Sequence, residues 1–257
     1  PDGSAGTADD GDLPASAGCT AHAATAATHL RLTATARVTD GSRTVEAVFG
    51  RAAAPGIPAP IWTTALAALS GFDGVIALSA LGAPAVPVMA APAPPDDIDL
   101  WLAAHPSITI GPGTAPPHFA PAPPLSELAD RARLVGVSAA VALGSGPPTP
   151  RVAFIDGNLL IDHPVRGAGL LVVTGQVRIS STLEYQGVIA TLRGIQIDPT
   201  ATLTLTGALW LGADASTPTD IRGHLNVTFD PASLTAADSL LTLPRPALLL
   251  GLRDHEP

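Results

Sequence analysis

The chain has 257 residues, a formal net charge of −9 and only 14% charged residues, against roughly 25% in an average globular protein. That length can bury a sizeable core as one large or two small domains. The negative balance excludes a nucleic-acid or anionic-membrane partner held by charge, since all 13 basic residues are arginines and none cluster.

The first segment, 1–27, is small, polar and acidic (Asp2, Asp9, Asp10, Asp12) and reads as a flexible arm. It holds the single cysteine, Cys19, which excludes an intramolecular disulfide and has no ligand set around it. Residues 28–60 predict a β-hairpin. His29 to Val38 alternates leucine and alanine with arginine and threonine, Thr39-Asp40-Gly41-Ser42 is a turn, and Arg43 to Phe49 alternates again. Ile61 to Ala91 is apolar enough to be weighed as a membrane span. However, Asp73 near its middle would cost roughly 2.5–3.5 kcal/mol there, and Gly71, Gly74, Pro84 and Pro87 break a helix. Within it, Ser70 to Ser79 has a glycine-then-apolar pattern that matches later repeats and predicts an early one. Residues 92–150 read as a proline-rich insertion, with helices expected over Asp97 to Ala104 and Leu125 to Leu134, and Ser126 as candidate N-cap.

From Arg151 to Asp214 the chain repeats itself. Gly157, Gly175, Gly194 and Gly212 form one register and Gly169, Gly187 and Gly207 a second, with steps of 18 to 20 residues. Short β-rich apolar runs punctuated by glycine at a fixed period indicate stacked supersecondary units. Alignment puts Leu159, Val177 and Ile195 in one column and Ile161, Ile179 and Ile197 in another, with Leu160, Arg178 and Gln196 between. Because side chains alternate across a strand, the two apolar columns should face inward and the mixed one outward. Hairpins turning at Asp156-Gly157 and Thr174-Gly175 are the alternative, but they leave the 18-residue step unexplained. Gly223 to Phe229 reads as a last strand and Asp230 to Leu240 as a short helix. The expected fold is therefore all-β: a right-handed parallel β-solenoid over 61–257, entered by the hairpin and capped at its end by a small C-terminal helical segment, 230–257.

Chemistry is harder to find. The alignment stacks Asp162, Ser180 and Asp198, with His163 beside the first. Two carboxylates two strands apart lie about 9–10 Å from each other, at the upper edge of an inverting glycosidase pair. Yet Pro164 and Pro199 mark both as corners, where aspartate is ordinary turn chemistry, and aromatics are only 4% of the chain. Thr202, Thr204 and Thr206 alternate with leucine as on flat water-ordering faces, but the preceding repeat offers Thr182, Glu184 and Gln186, so the ladder fails. The histidines (His22, His29, His105, His118, His163, His224, His255) show no metal spacing. Gly111-Pro112-Gly113 and Gly144-Ser145-Gly146 lack the strand–helix context of a phosphate loop or nucleophile elbow. The sequence thus names no catalytic, cofactor-binding or metal-binding residue, and implies no enzyme and no cofactor.

The order of parts resembles a known family. A hairpin of the type Leu30-Arg31-Leu32-Thr33 precedes glycine-punctuated repeats such as Gly169-Leu170-Leu171-Val172-Val173-Thr174-Gly175-Gln176-Val177 and Gly207-Ala208-Leu209-Trp210-Leu211-Gly212. A strand of the type Leu225-Asn226-Val227-Thr228-Phe229-Asp230-Pro231 and a leucine-rich tail close the chain. This is similar to the PilX-type pilus-assembly, minor-pilin-like proteins over residues 28–90 and 150–253. The resemblance implies a structural component of a type IV pilus-like or cell-envelope filament system, extracellular or envelope-located. Its partners would be other pilin-like subunits or copies of itself. It also implies a hydrophobic anchor helix upstream of Pro1 as the only membrane contact. A surface adhesin acting through the insertion, or a carbohydrate-active β-helix with a groove over Asp162 and Asp198, are the other classes in view.

Overall fold

A computed structural model describes residues 29–38, 41–51, 56–82, 85–212, 219–243 and 247–255. The acidic arm 1–27 with Cys19, the turn residues 39–40 and the polar corner 213–218 lie outside them. The chain divides into two compact units, Pro1–Gly56 with Arg245–Pro257, and Ile57–Pro244.

In the first unit β1 (His29–Val38) pairs antiparallel with β2 (Gly41–Arg51), His29 opposite Gly50 and Val38 opposite Gly41, as the alternation predicts. The C-terminal stretch departs from expectation. Ala247–His255 is a strand, not part of a helical segment, and pairs antiparallel with β2 to complete this three-stranded sheet.

The second unit is mostly β, with parallel ladders. Its first strands are β3 (Ile61–Thr63), β4 (Leu69–Phe72), β5 (Val75–Ala80), β6 (Val86–Pro87) and β7 (Met89–Ala91). Helix α1 (Pro95–Ala103) follows, then β8 (Ile108–Ile110), β9 (Thr114–Ala115), β10 (His118–Phe119) and helices α2 (Leu125–Val135) and α3 (Ala139–Ala142). Four repeats come next, each pairing a strand of one sheet with a short strand of another. These are β11 (Pro150–Ile155) with β12 (Leu159–Ile161), β13 (Val165–Val173) with β14 (Val177–Ile179), β15 (Thr182–Thr191) with β16 (Ile195–Ile197), and β17 (Thr202–Leu211) with β18 (Thr219–Ile221). The chain ends in β19 (His224–Phe229), α4 (Pro231–Leu240) and β20, the Ala247–His255 strand. No described helix is long and apolar enough to cross a membrane, and most of Ile61 to Ala91 is short strands.

The short strands stack as β12-β14-β16-β18-β4. Leu159, Val177 and Ile195 stand in register, as do Ile161, Ile179 and Ile197, all buried, while Leu160 and Arg178 face out. The long strands bend within a ten-stranded sheet at Gly169, Gly187 and Gly207, which are in register and all at positive φ. A Cβ on Gly207 would lie 1.8 Å from the Gly187 carbonyl oxygen, so only glycine permits this approach. Before the bend, burial alternates along the strand; after it, every residue is buried. The reason is a second core. One face of the later halves shares the inner core with the five-stranded sheet (Leu171, Ile189 and Leu209 with Ile179 and Ile197), and the other (Leu170, Val188, Trp210) is covered by Leu128 and Ala132 of α2 and Leu234 and Ala237 of α4. Parallel strands buried on both faces read as continuous apolar runs, which is what Gly169 to Val173 shows.

Chain order and spatial order differ. Strand β17 has two partners on the same side, β19 along Thr202–Thr206 and β3 along Leu209–Leu211. The chain enters the stack at β3 and β4 in the middle, adds β5, β7, β8 and β10 outward, and returns through α2 and α3 to the opposite end at β11. It then works back until β19 meets β5, with His224 opposite Val75 and Phe229 opposite Ala80.

Two expectations are corrected by this. The segment 92–150 is not an excursion, since it supplies β8 and β10 to the large sheet and the helix that covers one face. Its prolines fall between strands, at strand starts or at helix starts, where no ladder hydrogen bond is lost. Nor does 230–240 cap an end: α4 lies across β11, β13, β15 and β17. The parts packed on the inner core from the two ends are Val137, Ala139 and Leu143 around α3, and Trp101 and Leu102 of α1. Ser126 is not a cap either, because α2 begins after Pro124 with no side-chain cap bond.

Candidate functional site

Two ion pairs of the large unit join neighbouring strands, and a third is local to one corner. Arg178 on β14 reaches Asp198 after β16 with its Nη2 at 3.0 Å and Nε at 3.3 Å, and Gln196 Nε2 donates to the same carboxylate at 3.4 Å. Arg166 on β13 meets Glu184 on β15 at 2.7 Å, opposite each other in register. Arg222 meets Asp220 at 2.7 Å.

Asp162, Ser180 and Asp198 follow Ile161, Ile179 and Ile197, so the stacking read from the sequence holds. The two acids, however, have separate partners. His163 Nδ1 is 2.7 Å from Asp162 Oδ1, and this hydrogen bond holds the Asp162 carboxyl below the usual carboxylate range. Asp198 is the anion of Arg178. An acid pair working on one bond needs one carboxyl kept protonated by burial or by its partner's charge; here one acid is fully exposed and its carboxylate form favoured.

Thr202, Thr204 and Thr206 have Thr182, Glu184 and Gln186 on one side and His224, Asn226 and Thr228 on the other. The column of Thr206 continues through Thr228 to Ser79, whose hydroxyl lies 3.1 Å from that of Thr228. Hydroxyl pairs thus recur only in part of the face.

The sequence reading missed a cavity between β4 and α1. It is open, about 540 Å3 in volume, and lined by Leu66, Ala67, Leu69, Ala93, Asp97, Trp101 and His105. Helix α1 starts at Pro95 with Asp96 and Asp97 in its first turn, where acids suit the helix dipole. Spacing of i, i+4 places Asp97 and Trp101 on one helix face, and His105 follows just past the C-cap Ala104. Trp101 is fixed by rings on two sides, stacked on His105 with centroids 4.2 Å apart and edge-on to buried Phe72 at 4.8 Å. His105 Nδ1 lies 2.7 Å from the Trp101 carbonyl. A carbonyl only accepts, so Nδ1 carries the proton and Nε2 is the acceptor of the neutral ring. The signal was present as Asp97-x3-Trp101 on an expected helix with His105 just beyond it, but ring residues drawn from two segments do not stand out in a chain with few aromatics.

His118 and His224 are exposed, and His22 and Cys19 lie outside the described residues, as do the side chains of His29 and His255. Gly113 sits at positive φ against the Ala80 carbonyl, which explains Gly111-Pro112-Gly113 as a close backbone turn. Among the described residues no three histidine, cysteine or acidic groups come together as a metal site. No known family model matches the chain, and no curated protein or solved structure matches it.

Proposed function

We propose that the Ile57–Pro244 unit is a right-handed parallel β-solenoid acting as a stiff structural component, through protein–protein contacts, in a type IV pilus-like or cell-envelope filament system. The observation that carries the structural part is the use of charge: Arg166–Glu184 and Arg178–Asp198 tie neighbouring repeats to each other, not to a substrate. Parallel pairing in register through four successive repeats supports the solenoid reading, and right-handed crossovers are the expected ones. The buried faces make a continuous core, and the loops at the corners remain free to vary for partners. The pilus-like setting rests on the resemblance over residues 28–90 and 150–253, and with it the envelope or extracellular location.

The test is to express the gene with its natural upstream sequence in its native cell and fractionate. Recovery with pilin-like proteins from sheared filaments or the envelope is the expected result. Recovery from the cytosol without such partners would overturn the assembly role and favour an internal β-helix polymer.

A further inference from the structure

We propose that the two ends of the Ile57–Pro244 stack bind each other, so that copies of this chain join head to tail, the β11 end of one against the α1 end of the next. The order of the ten-stranded sheet puts β8 and β10 at one end and β11 at the other. Helix α1 contacts β10 and closes the inner core at the first end through buried Ile98. The second end is closed by α3, which packs on β11, and by the last turn of α2. The chain of α2 runs toward β11, from Pro121 before it, whose carbonyl accepts from Trp62 on β3, to Val137 after it, which bridges Ala153. Exposed large apolar side chains are sorted to these ends. One group is Leu100 on α1, Ile110 on β8 and Phe119 on β10, with Val75 and Leu81 at either end of β5, one strand in. The other is Leu134 and Val135 on α2, Val141 on α3, and Leu160 on the terminal strand β12. Among the described residues none lies on β13 to β19, and only Leu240 on α4 stands elsewhere. A scattered exposed leucine needs no explanation, but two opposed groups with bare polar strands between them mark contact surfaces.

Charge identifies the occupant of each end as the other end. Helix α1 exposes Asp96, Asp97 and Asp99, and the chain has no arginine between Arg51 and Arg131 to balance them. None of the three is in an ion pair among the described residues. Asp99 lies beyond the first turn, so the helix dipole does not account for it. At the β11 end Arg133 and Arg151 are exposed and, among the described residues, have no carboxylate partner. Arg133 lies over the Phe154 ring, 5.4 Å from its centroid. The acids nearby are engaged, Glu127 with Arg131 and Asp156 with the Thr174 hydroxyl, while Asp130 lies a turn further from the end. A two-fold contact would set acids against acids or arginines against arginines, whereas a head-to-tail contact pairs opposite charges around the apolar groups. It also leaves one end of each copy free, so it repeats into an open chain. This rests on the structural reading above, a stacked unit working through protein contacts, and names a second copy as the partner.

The test is sedimentation velocity of the full chain over about 1–100 μM, in low and high salt. The wild-type protein should form species that lengthen with concentration and shorten in high salt. Leu100→Gln alters the α1 end and Leu134→Gln the β11 end, at side chains 70% and 83% exposed, so the fold is spared. Each variant alone should associate about tenfold more weakly, because every contact it makes includes one altered end. An equimolar mixture should recover dimers at the wild-type affinity and form nothing longer, since one intact end of each kind remains. That recovery also shows that both variants are folded. A wild-type chain that stays monomeric throughout, or a mixture that associates no better than the variants, would overturn the proposal. So would either variant associating like the wild type, which is the mark of a two-fold contact between like ends. A monomeric chain that still fractionates with pilin-like proteins would sink this contact and leave the assembly role standing. Head-to-tail chains recovered from the cytosol would do the reverse.

Discussion

Ile179→Ala should cost the large unit about 3–4 kcal/mol. Ile179 is fully buried and stands between Ile161 and Ile197, which are equally enclosed. The substitution removes three buried carbons, about 2.4 kcal/mol at roughly 0.8 kcal/mol each. The neighbouring strands are fixed by their ladders, so the space closes only partly and the remaining cavity adds about 1 kcal/mol. For a unit of this size each kcal/mol moves the melting temperature by about 2–4 °C, giving a fall of about 6–16 °C. The control is Leu160→Ala, one strand earlier in the outward column and 55% exposed, where less than about 0.5 kcal/mol is expected. Urea titration followed by tryptophan fluorescence reports the right unit, because Trp62, Trp101 and Trp210 all lie within Ile57–Pro244. A cost below about 1 kcal/mol at Ile179, or equal costs at the two sites, would refute the assignment of inner and outer columns.

Gly187→Ala places a Cβ 2.0 Å from the Gly169 carbonyl oxygen at φ +127, so it should lose well over the strain alone and yield little folded protein. Gly157→Ala, at φ +104 with open space around it, should cost only that strain, about 1–3 kcal/mol, in the same denaturation assay. Arg166→Ala breaks a half-exposed pair with Glu184 and should cost no more than about 1 kcal/mol, shrinking further in high salt. Asp230 caps α4 by accepting from the Ala232 and Ser233 amides at 3.1 Å, so Asp230→Ala should cost about 1 kcal/mol at neutral pH. Burial alone would push the Asp230 carboxyl up, but its bonds to the Ser233 hydroxyl and the two amides outweigh that and hold it below 3.8. The capping contribution is therefore complete above the unfolded-chain value and is lost as pH falls through the folded one, so the stability gap to Asp230→Ala should close in acid.

What the sequence made legible was local in register. Leu159, Val177 and Ile195 could be aligned because their repeats follow one another with one step and shared glycines. The pairing of β19 with β5 could not, since Asn226 and Ala77 meet across 149 residues and nothing in either strand names the other. The same non-local order misled the reading of the threonine face. Thr206 was compared with Gln186, its earlier neighbour, while Thr228, which stands opposite it in register and also bears a hydroxyl, lies on the far side. Proline density made 92–150 look like an excursion, because two- and three-residue strands leave no alternation to detect. The cavity beside Asp97, Trp101 and His105 went unnoticed for a different reason: it forms only against Leu66 and Leu69, which belong to another part of the chain.

The central claim is that two separated segments of the chain complete one parallel stack, and a cysteine cross-link tests it most directly. In a Cys19→Ser background, Asn226→Cys with Ala77→Cys puts thiols on residues in register on adjacent strands, where Cα atoms about 4.8 Å apart allow a disulfide. Glu184→Cys with Ala77→Cys is the control, since β15 is separated from β5 by β17 and β19, about 14 Å away. Mild oxidation followed by peptide mass spectrometry should give a 77–226 link in folded protein, and none for 77–184. Absence of the 77–226 link, or equal yields for both pairs, would contradict the shared stack.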